Sequence, residues 1–424
     1  MPLPLYLLSV ALFAMGTSEF MLAGLLPDIA ADVGVPVSTA GLLTPAFAVG
    51  MVAGAPLMAG LARRWPRRSS LLGFLGLFLA AHVLGACTGD FTVLLATRVA
   101  AALAYAGFLA VALTTAAELV PADRKGRALA VLLAGTTIAT VAGVPAGALL
   151  GTLLDWRVTF WGIAVLCLPA ALGVVLGIPA DAERTGAGRP DAERPGDPVG
   201  PDLRQELAEL RRPRLVLVLS LGALVNAATF GTFTFLAPIV TDVAGLDPLW
   251  VSVALVLFGL GSFVGVAVAG RLSDRRPGVV IAVGGPLLLG GWVALGLTVS
   301  APIALLVLAF TQGMFSFGVG STLIARVLYE AAGAPTMAGS YATAALNVGA
   351  VAGPVTAAAT LNTSLAEQGP VWASGALVAV ALLLALLFRH ALERRHALER
   401  RHALGRGDAG TAPGDAPERI EDVR

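Results

Sequence analysis

Twelve apolar stretches of about twenty residues or more leave this chain few folds to choose from. They run over 4–26, 38–62, 69–88, 92–115, 126–150, 157–178, 214–240, 249–270, 278–299, 301–324, 338–361 and 370–389. Roughly 20 residues of helix cross the ~30 Å hydrocarbon layer of a bilayer. A spanning segment must also satisfy its own backbone hydrogen bonds, which a helix does. Only 13% of the 424 residues are charged and 57% are hydrophobic, where a soluble domain carries roughly 25% charge. The expected fold class is therefore all-α integral membrane, with twelve transmembrane helices. A cytosolic enzyme, a disordered chain and a disulfide scaffold are excluded, and Cys87 and Cys167 both lie in apolar runs. The first stretch does not read as a cleaved signal peptide: it lacks a basic n-region, is too long, and carries Glu19 in its interior.

The basic residues set the expected orientation. With the N-terminus cytoplasmic, 26 of the 28 Lys and Arg fall on the inner side. Arg157 falls outside and Arg98 within a span. Short loops alone give 11 against 1, and it is short loops that the positive-inside rule concerns. The expected localisation is the cell membrane, multi-pass, with both termini cytoplasmic. Net charge is +1, which argues for no polyanionic partner and no nucleic acid.

Residues 179–213 divide the spans six and six. Pro179 to Pro201 is rich in Pro, Gly, Asp and Arg and reads as a flexible linker. Its end places Leu203, Leu207 and Leu210 at helical spacing, which suggests a short amphipathic helix at the membrane face or a merely solvated one. The expected domains are thus 1–178, a linker over 179–213, 214–389, and a cytoplasmic tail over 390–424. The tail carries a tandem HALERR repeat, which can extend the last helix, and reads as largely disordered beyond it.

Local matches between the halves support a duplication. AGLARRWPRRSSL follows the second span and AGRLSDRRPGVV the eighth. The fifth span contains GTTIATVAGVPAGALLG and the eleventh ALNVGAVAGPV. Each places small residues at four-residue spacing beside a proline, Pro145 or Pro354. That pattern lets helices approach closely and bend.

These residues resemble the major facilitator superfamily, and within it the twelve-span drug:proton antiporters. The family's loop after span two runs close to G-x-L-A-D-R-x-G-R-R. Gly270, Arg271, Leu272, Ser273, Asp274 and Arg275 follow its opening. In the first half Arg63 stands where the Asp is expected and Pro66 where the Gly is. Longer stretches such as ALFAMGTSEFMLAGLLPDIAADVGV and RVLYEAAGAPTMAGSYATAALNVGAVAGP resemble bacterial sugar- and drug-efflux proteins, most closely the chloramphenicol-resistance efflux branch. The likeness covers nearly all of 1–389. It implies two pseudo-symmetric six-helix bundles, an inner gate at Asp274, Arg275, Gly270, Arg64 and Arg67, and an antiporter-motif hinge at Gly143, Pro145, Gly147, Gly353 and Pro354. It further implies proton-coupled export of a small amphiphilic drug, a phenicol, by a monomer using the proton gradient and no cofactor. Sugar or metabolite efflux is the alternative within the class, and a non-transporting receptor or channel the alternative outside it.

Charges inside hydrocarbon are costly and mark ion or substrate paths by default. Glu19 sits deep in the first span, with Gly16 and Ala23 about one turn away on either side, so its face meets a helix or a cavity. A carboxyl there that gains and loses a proton as its surroundings change would couple protons to transport; one held neutral between helices would not. Arg98 cannot discharge and needs a partner: Glu19, a carbonyl, water or substrate. A position near its span's outer end would let it snorkel instead. The resemblance ties the matching arginine to proton coupling. Tyr105, Phe108, Asn226, Phe230, Phe233, Gln312, Phe315 and Asn347 are candidates for the substrate cavity, against ordinary packing. His82 reads as a core histidine or a proton-transfer group. Arg326 and Glu330 have i,i+4 spacing and read as an ion pair, while Asp155 and Arg157 read as solvated. No G-x-x-x-x-G-K-[ST] loop, HExxH or Cys/His cluster is present, which leaves no catalytic or metal site to predict.

Overall fold

The computed structural model describes residues 2–62, 66–121, 124–178, 206, 208–273, 277–334 and 337–408. Residues 1–381 and 382–424 are separate compact units. Among the described residues, twelve helices are long and apolar enough to span a bilayer.

The first six helices are α1 (Leu3–Phe20), α2 (Leu43–Ala62), α3 (Arg67–Cys87), α4 (Phe91–Glu118), α5 (Lys125–Ile138, then Val144–Leu153) and α6 (Trp156–Gly177). The second six are α7 (Pro213–Thr234), α8 (Leu249–Ser273), α9 (Pro277–Thr298), α10 (Pro302–Glu330), α11 (Ala338–Leu361) and α12 (Gly369–Asp408). Neighbours repeat between halves. In the first, α1 packs on α5 and α6, α2 on α4, and α3 on α4 and α6. In the second, α7 packs on α11, α8 on α10, and α9 on α10. Ser374 of α12 donates to the Ala228 carbonyl of α7 at 2.6 Å, completing the match. The two-bundle expectation holds.

The helix breaks repeat as well. α1 stops at Phe20 and resumes as Leu22–Val33, ending at Gly34 with φ +72°. α7 stops at Thr234 and resumes through Leu236–Pro238 and a π-turn at Ile239–Val243, followed by Gly245 with φ +64°. Both glycines take the left-handed conformation that closes helices, which other residues adopt only with strain. In α5 a π-turn at Ala139–Gly143 precedes Pro145. Proline removes one backbone donor and clashes with the carbonyl four residues back, and a π-turn is one way the ladder absorbs that.

Small residues set the crossings. A Cβ on Gly135 would collide with the Ser9 carbonyl of α1, and one on Gly349 or Gly353 with carbonyls of α7. The halves meet through α5 on α8 and α2 on α11, a pair related by the same duplication. They also meet at the face far from Leu3, where Phe235 packs on Gly41 and Leu255 on Gly24.

That far face is pinned by Arg157. Its guanidinium pairs with Asp32 at 2.7 Å, donates to the Thr88 carbonyl at 3.3 Å and lies over Trp156 at 4.4 Å. The expectation of a solvated Arg157 is corrected: short turns at Thr88 and Asp155 bring three partners within its reach. The hydrogen bond from Arg157 holds the Asp32 carboxyl below the usual carboxylate range.

Candidate functional site

α1 delivers three consecutive side chains to the centre just before its break, and each faces a different neighbour. Successive helical residues point about 100° apart. Ser18 therefore turns into the first bundle, Glu19 lies within electrostatic reach of Arg98 and Tyr105 of α4, and Phe20 turns towards the second bundle.

Ser18 is the hub of a buried polar network. Arg98 of α4, 1% exposed, donates from Nη1 to Ser18 Oγ at 2.9 Å and from Nη2 to the Ser18 carbonyl at 2.7 Å. That carbonyl lies in the last turn of a helix, where backbone acceptors lack intrahelical partners. The guanidinium also stacks on Phe47 of α2, 4.6 Å from the ring centre. His82 of α3, 1% exposed, places Nε2 2.8 Å from Ser18 Oγ and Nδ1 2.8 Å from the Phe78 carbonyl. The snorkelling alternative for Arg98 is thus excluded: a charge with two committed donors and a ring beneath it is held inside.

Glu19 is only partly buried. No ion pair or hydrogen bond holds it among the described residues, although the charge of Arg98 and the hydroxyl of Tyr105 lie within electrostatic reach. The direct Glu19–Arg98 pair, one of the partners open for Arg98, is not made, because Ser18 occupies both guanidinium ends.

Phe20 starts an aromatic chain across the seam. Its ring centre lies 5.6 Å from Phe230 and 6.2 Å from Phe233 of α7. Phe233 sits 4.9 Å from Phe258 of α8, which lies 6.0 Å from Phe317 of α10. These rings, with Thr140, Val144, Thr229 and Ser262, enclose a space of about 10 Å³. That admits a water at most, whereas ligand pockets run to roughly 300–1,000 Å³. A ligand of ordinary size enters only if the rings part.

The other predicted cavity residues scatter. Tyr105 packs against Phe47 at 6.3 Å near Glu19. Phe108 is buried in the first bundle's core. Phe315 lines an apolar groove of about 180 Å³ with α8 and α9 side chains such as Leu272 and Leu287. Both Phe108 and Phe315 therefore lie outside the central chamber, since their helices turn those positions elsewhere. Asn226 donates to the Leu346 carbonyl at 2.6 Å, bridging α7 and α11. Asn347 bonds back to Thr343 of its own helix at 3.0 Å. Gln312 donates to the Leu288 carbonyl at 3.3 Å and lines a second space, of about 20 Å³, that shares Phe233 and Phe258 with the first. Phe230 and Phe233 line the chamber as expected. Phe20, Phe258 and Phe317 were not singled out beforehand, although Phe20 adjoins Glu19 in the chain.

Gly143 lies against Thr17 and Phe13 of α1, and Gly147 against Thr159 of α6, whose hydroxyl donates to the Gly147 carbonyl at 2.8 Å. Pro145 and Pro354 are buried within α5 and α11. At the near face Arg67 pairs with Glu118, tying α3 to α4. Gly270 stands at an open position. Arg64, Asp274 and Arg275 lie outside the described residues, as do Leu203 and Leu207 of the linker and residues 409–424 of the tail. Leu210 is exposed, and Tyr341 donates to the Glu206 carbonyl at 2.9 Å. Arg326 and Glu330 approach to 3.9 Å. Among the described residues, no group of three or more His, Cys, Asp or Glu could hold a metal.

Comparison with known proteins adds the lineage of this arrangement. The sequence matches the family model of the Major Facilitator Superfamily over residues 8–343. It is 70% identical over 383 residues to a chloramphenicol resistance protein of Streptomyces lividans, covering 90% of this chain and 95% of that one. It is 31% identical over 381 residues to the inner membrane transport protein YdhP of Escherichia coli K12, covering 90% and 94%. Among solved structures, a bacterial homologue of the human lysosomal transporter Spinster, in an inward-facing, unoccupied conformation, aligns with a TM-score of 0.65 at 17% identity. That alignment covers 91% of this chain and 94% of the other.

Proposed function

This chain belongs to the major facilitator superfamily, and from that premise we infer that it exports a phenicol antibiotic, chloramphenicol or a close analogue, in exchange for protons. The observation that carries this reading is the placement of Glu19. A carboxyl without a fixed partner stands beside Phe20, which reaches the five-ring chamber at the seam of the bundles. One turn of α1 thus presents a proton-exchanging group and a drug-stacking surface together. Aromatic rings gain energy from stacking, which suits a nitrophenyl group better than a sugar.

The charge distribution supports cytoplasmic termini. In that orientation the contacts at Gly41, Gly24 and Phe235 close the outer face, and the drug's route in is from the inner side. Drug entering from the cytoplasm parts Phe20 from Phe230 and Phe233, and its binding favours the charged form of Glu19. Rocking about α5–α8 and α2–α11, with bending at Gly143, Pro145 and Gly147 and at Gly353 and Pro354, opens the outer face. A proton arriving there neutralises Glu19, the drug leaves, and the neutral carboxyl accompanies the return. No cofactor takes part, the energy source is the proton gradient, and a monomer suffices because both bundles lie in one chain.

The test is expression in a chloramphenicol-sensitive host. A raised minimum inhibitory concentration that collapses with a protonophore supports the reading. Unchanged sensitivity, with the protein inserted, rejects it.

A further inference from the structure

We propose that His82 is a positioning residue for the proton step: acting through Ser18, it holds the Arg98 guanidinium on the backbone of α1 and away from the Glu19 carboxyl. The proposal rests on the proton-coupled reading above and deepens it.

The hydrogen-bond directions in the network are fixed by chemistry. The Phe78 carbonyl can only accept, so His82 Nδ1, 2.8 Å away, carries the ring proton. In a neutral imidazole the other nitrogen then accepts. Ser18 has one hydroxyl proton and gives it to His82 Nε2 at 2.8 Å. This turns a lone pair of Ser18 Oγ to Arg98 Nη1, which can only donate. A chain of three side chains therefore runs one way, from arginine to serine to histidine to carbonyl. The imidazole is locked between Phe78, 4.2 Å from its centre, and Phe160 at 5.7 Å. Within this network Arg98 Nε is a buried donor without a partner.

Removal of His82 leaves the Ser18 hydroxyl without its acceptor and free to rotate. Arg98 Nη1 then faces a hydroxyl whose lone pairs are no longer held towards it, and Nε stays unpartnered. The carboxyl of the next residue, Glu19, is the strongest acceptor within its reach. From α4, Arg98 and Tyr105 face Glu19, and from α3 His82 stands one serine away. The α2 helix carries no ionisable side chain. Lys125 is the first residue of α5; Arg127 of α5, Arg214 of α7 and Tyr341 of α11 belong to first turns at the near face, and α6 adds Arg157 at the far face and Cys167. Arg98 is thus the charge that sets Glu19, and His82 sets Arg98.

Two measurements decide this. In full-length protein carrying His390→Gln, His396→Gln and His402→Gln, the ¹⁵N shifts of His82 at pH 8 should report the Nδ1–H tautomer; the Nε2–H tautomer overturns the proposal. In proteoliposomes, chloramphenicol export driven by a pH gradient should shift its pH profile towards lower pH by about one unit in His82→Leu, at unchanged KM. Ser18→Ala should shift likewise and serves as the second variant if His82→Leu does not fold. His82→Gln should restore the original profile, because its amide can donate to the Phe78 carbonyl and accept from Ser18. A profile in His82→Leu or Ser18→Ala that coincides with the unsubstituted protein, or a Gln variant that behaves as the Leu one, overturns the proposal. Failure of the unsubstituted protein to export against the gradient rejects the proposed function instead, and the nitrogen spectrum still decides the network.

Discussion

The two bundles share one helix arrangement and differ in what they place at its centre. The first buries a guanidinium, an imidazole and a hydroxyl around Ser18, with Glu19 next in the chain and within reach of the Arg98 charge. The second offers rings, Phe230, Phe233, Phe258 and Phe317, and its polar side chains at that level are hydroxyls and amides such as Thr229, Ser262 and Gln312. A buried charge needs donors and acceptors built around it, and a stacking surface works best without them. With the same helix arrangement on both sides, each half meets one demand. The last turn of α1 joins them, since Ser18 belongs to one chemistry and Phe20 to the other.

The division of labour can be broken at its strongest point first. Glu19→Gln should insert normally and lose pH-gradient-driven export entirely, while drug exchange across vesicles at equal pH persists. Unchanged gradient-driven efflux in that variant would falsify the coupling role of the first bundle.

Substitutions on the other side should move affinity and leave coupling alone. Phe233→Ala and Phe20→Ala each remove one ring on which the drug would stack, about 0.5–1.5 kcal/mol, so the half-saturating drug concentration should rise by about two- to twelvefold. The number of protons exchanged per drug should stay constant. A change in that ratio in Phe233→Ala would mean that the halves do not divide the work as described.

The seam between helices gives a smaller effect, on stability. A methyl on Gly353 would meet the Ala227 carbonyl, whereas one on Gly270 meets nothing within 4 Å. Gly353→Ala should cost about 1–3 kcal/mol from overpacking and lower the melting temperature in detergent. Gly270→Ala should leave it unchanged. Equal melting of the two would show that α7 and α11 have room to separate at that crossing.

The weakest expected effect lies at the far face. Asp32 has a folded value below its ordinary 3.8 because of Arg157. Its contribution to stability is therefore present above that ordinary value and lost as pH falls through the lowered one. The pair is partly exposed, 28% at Arg157 and 41% at Asp32, so Asp32→Asn should lower the melting temperature slightly at pH 7, less in high salt. The difference should vanish in strong acid. A difference that persisted there would point to packing rather than charge.

Much of this was written in one dimension. The twelve spans, the division at 179–213, the paired Gly–Pro helices, and Glu19 and Arg98 as deep charges were all legible, because hydrocarbon penalises every exception along the chain. The rotation of each helix was not. An amphipathic helix announces its buried face by its polar one, but these helices are apolar all round, so Phe108, Phe230 and Phe315 look alike in the sequence. The structure sends them to a bundle core, the central chamber and a peripheral groove. Ser18, and its link to His82, stayed hidden for a related reason. Serine is common in membrane helices, and its role here depends on residues 64 and 80 positions away.

The sequence by itself determined that this chain spans a membrane twelve times in two related halves with two deep charges, since length, hydropathy and charge cost act locally. Tertiary structure alone decided that Arg98 bonds Ser18 rather than Glu19, and that Phe20 meets Phe230. Those contacts depend on how helices rotate and cross. Close packing of backbones at small residues sets that geometry, and no single stretch of sequence encodes it.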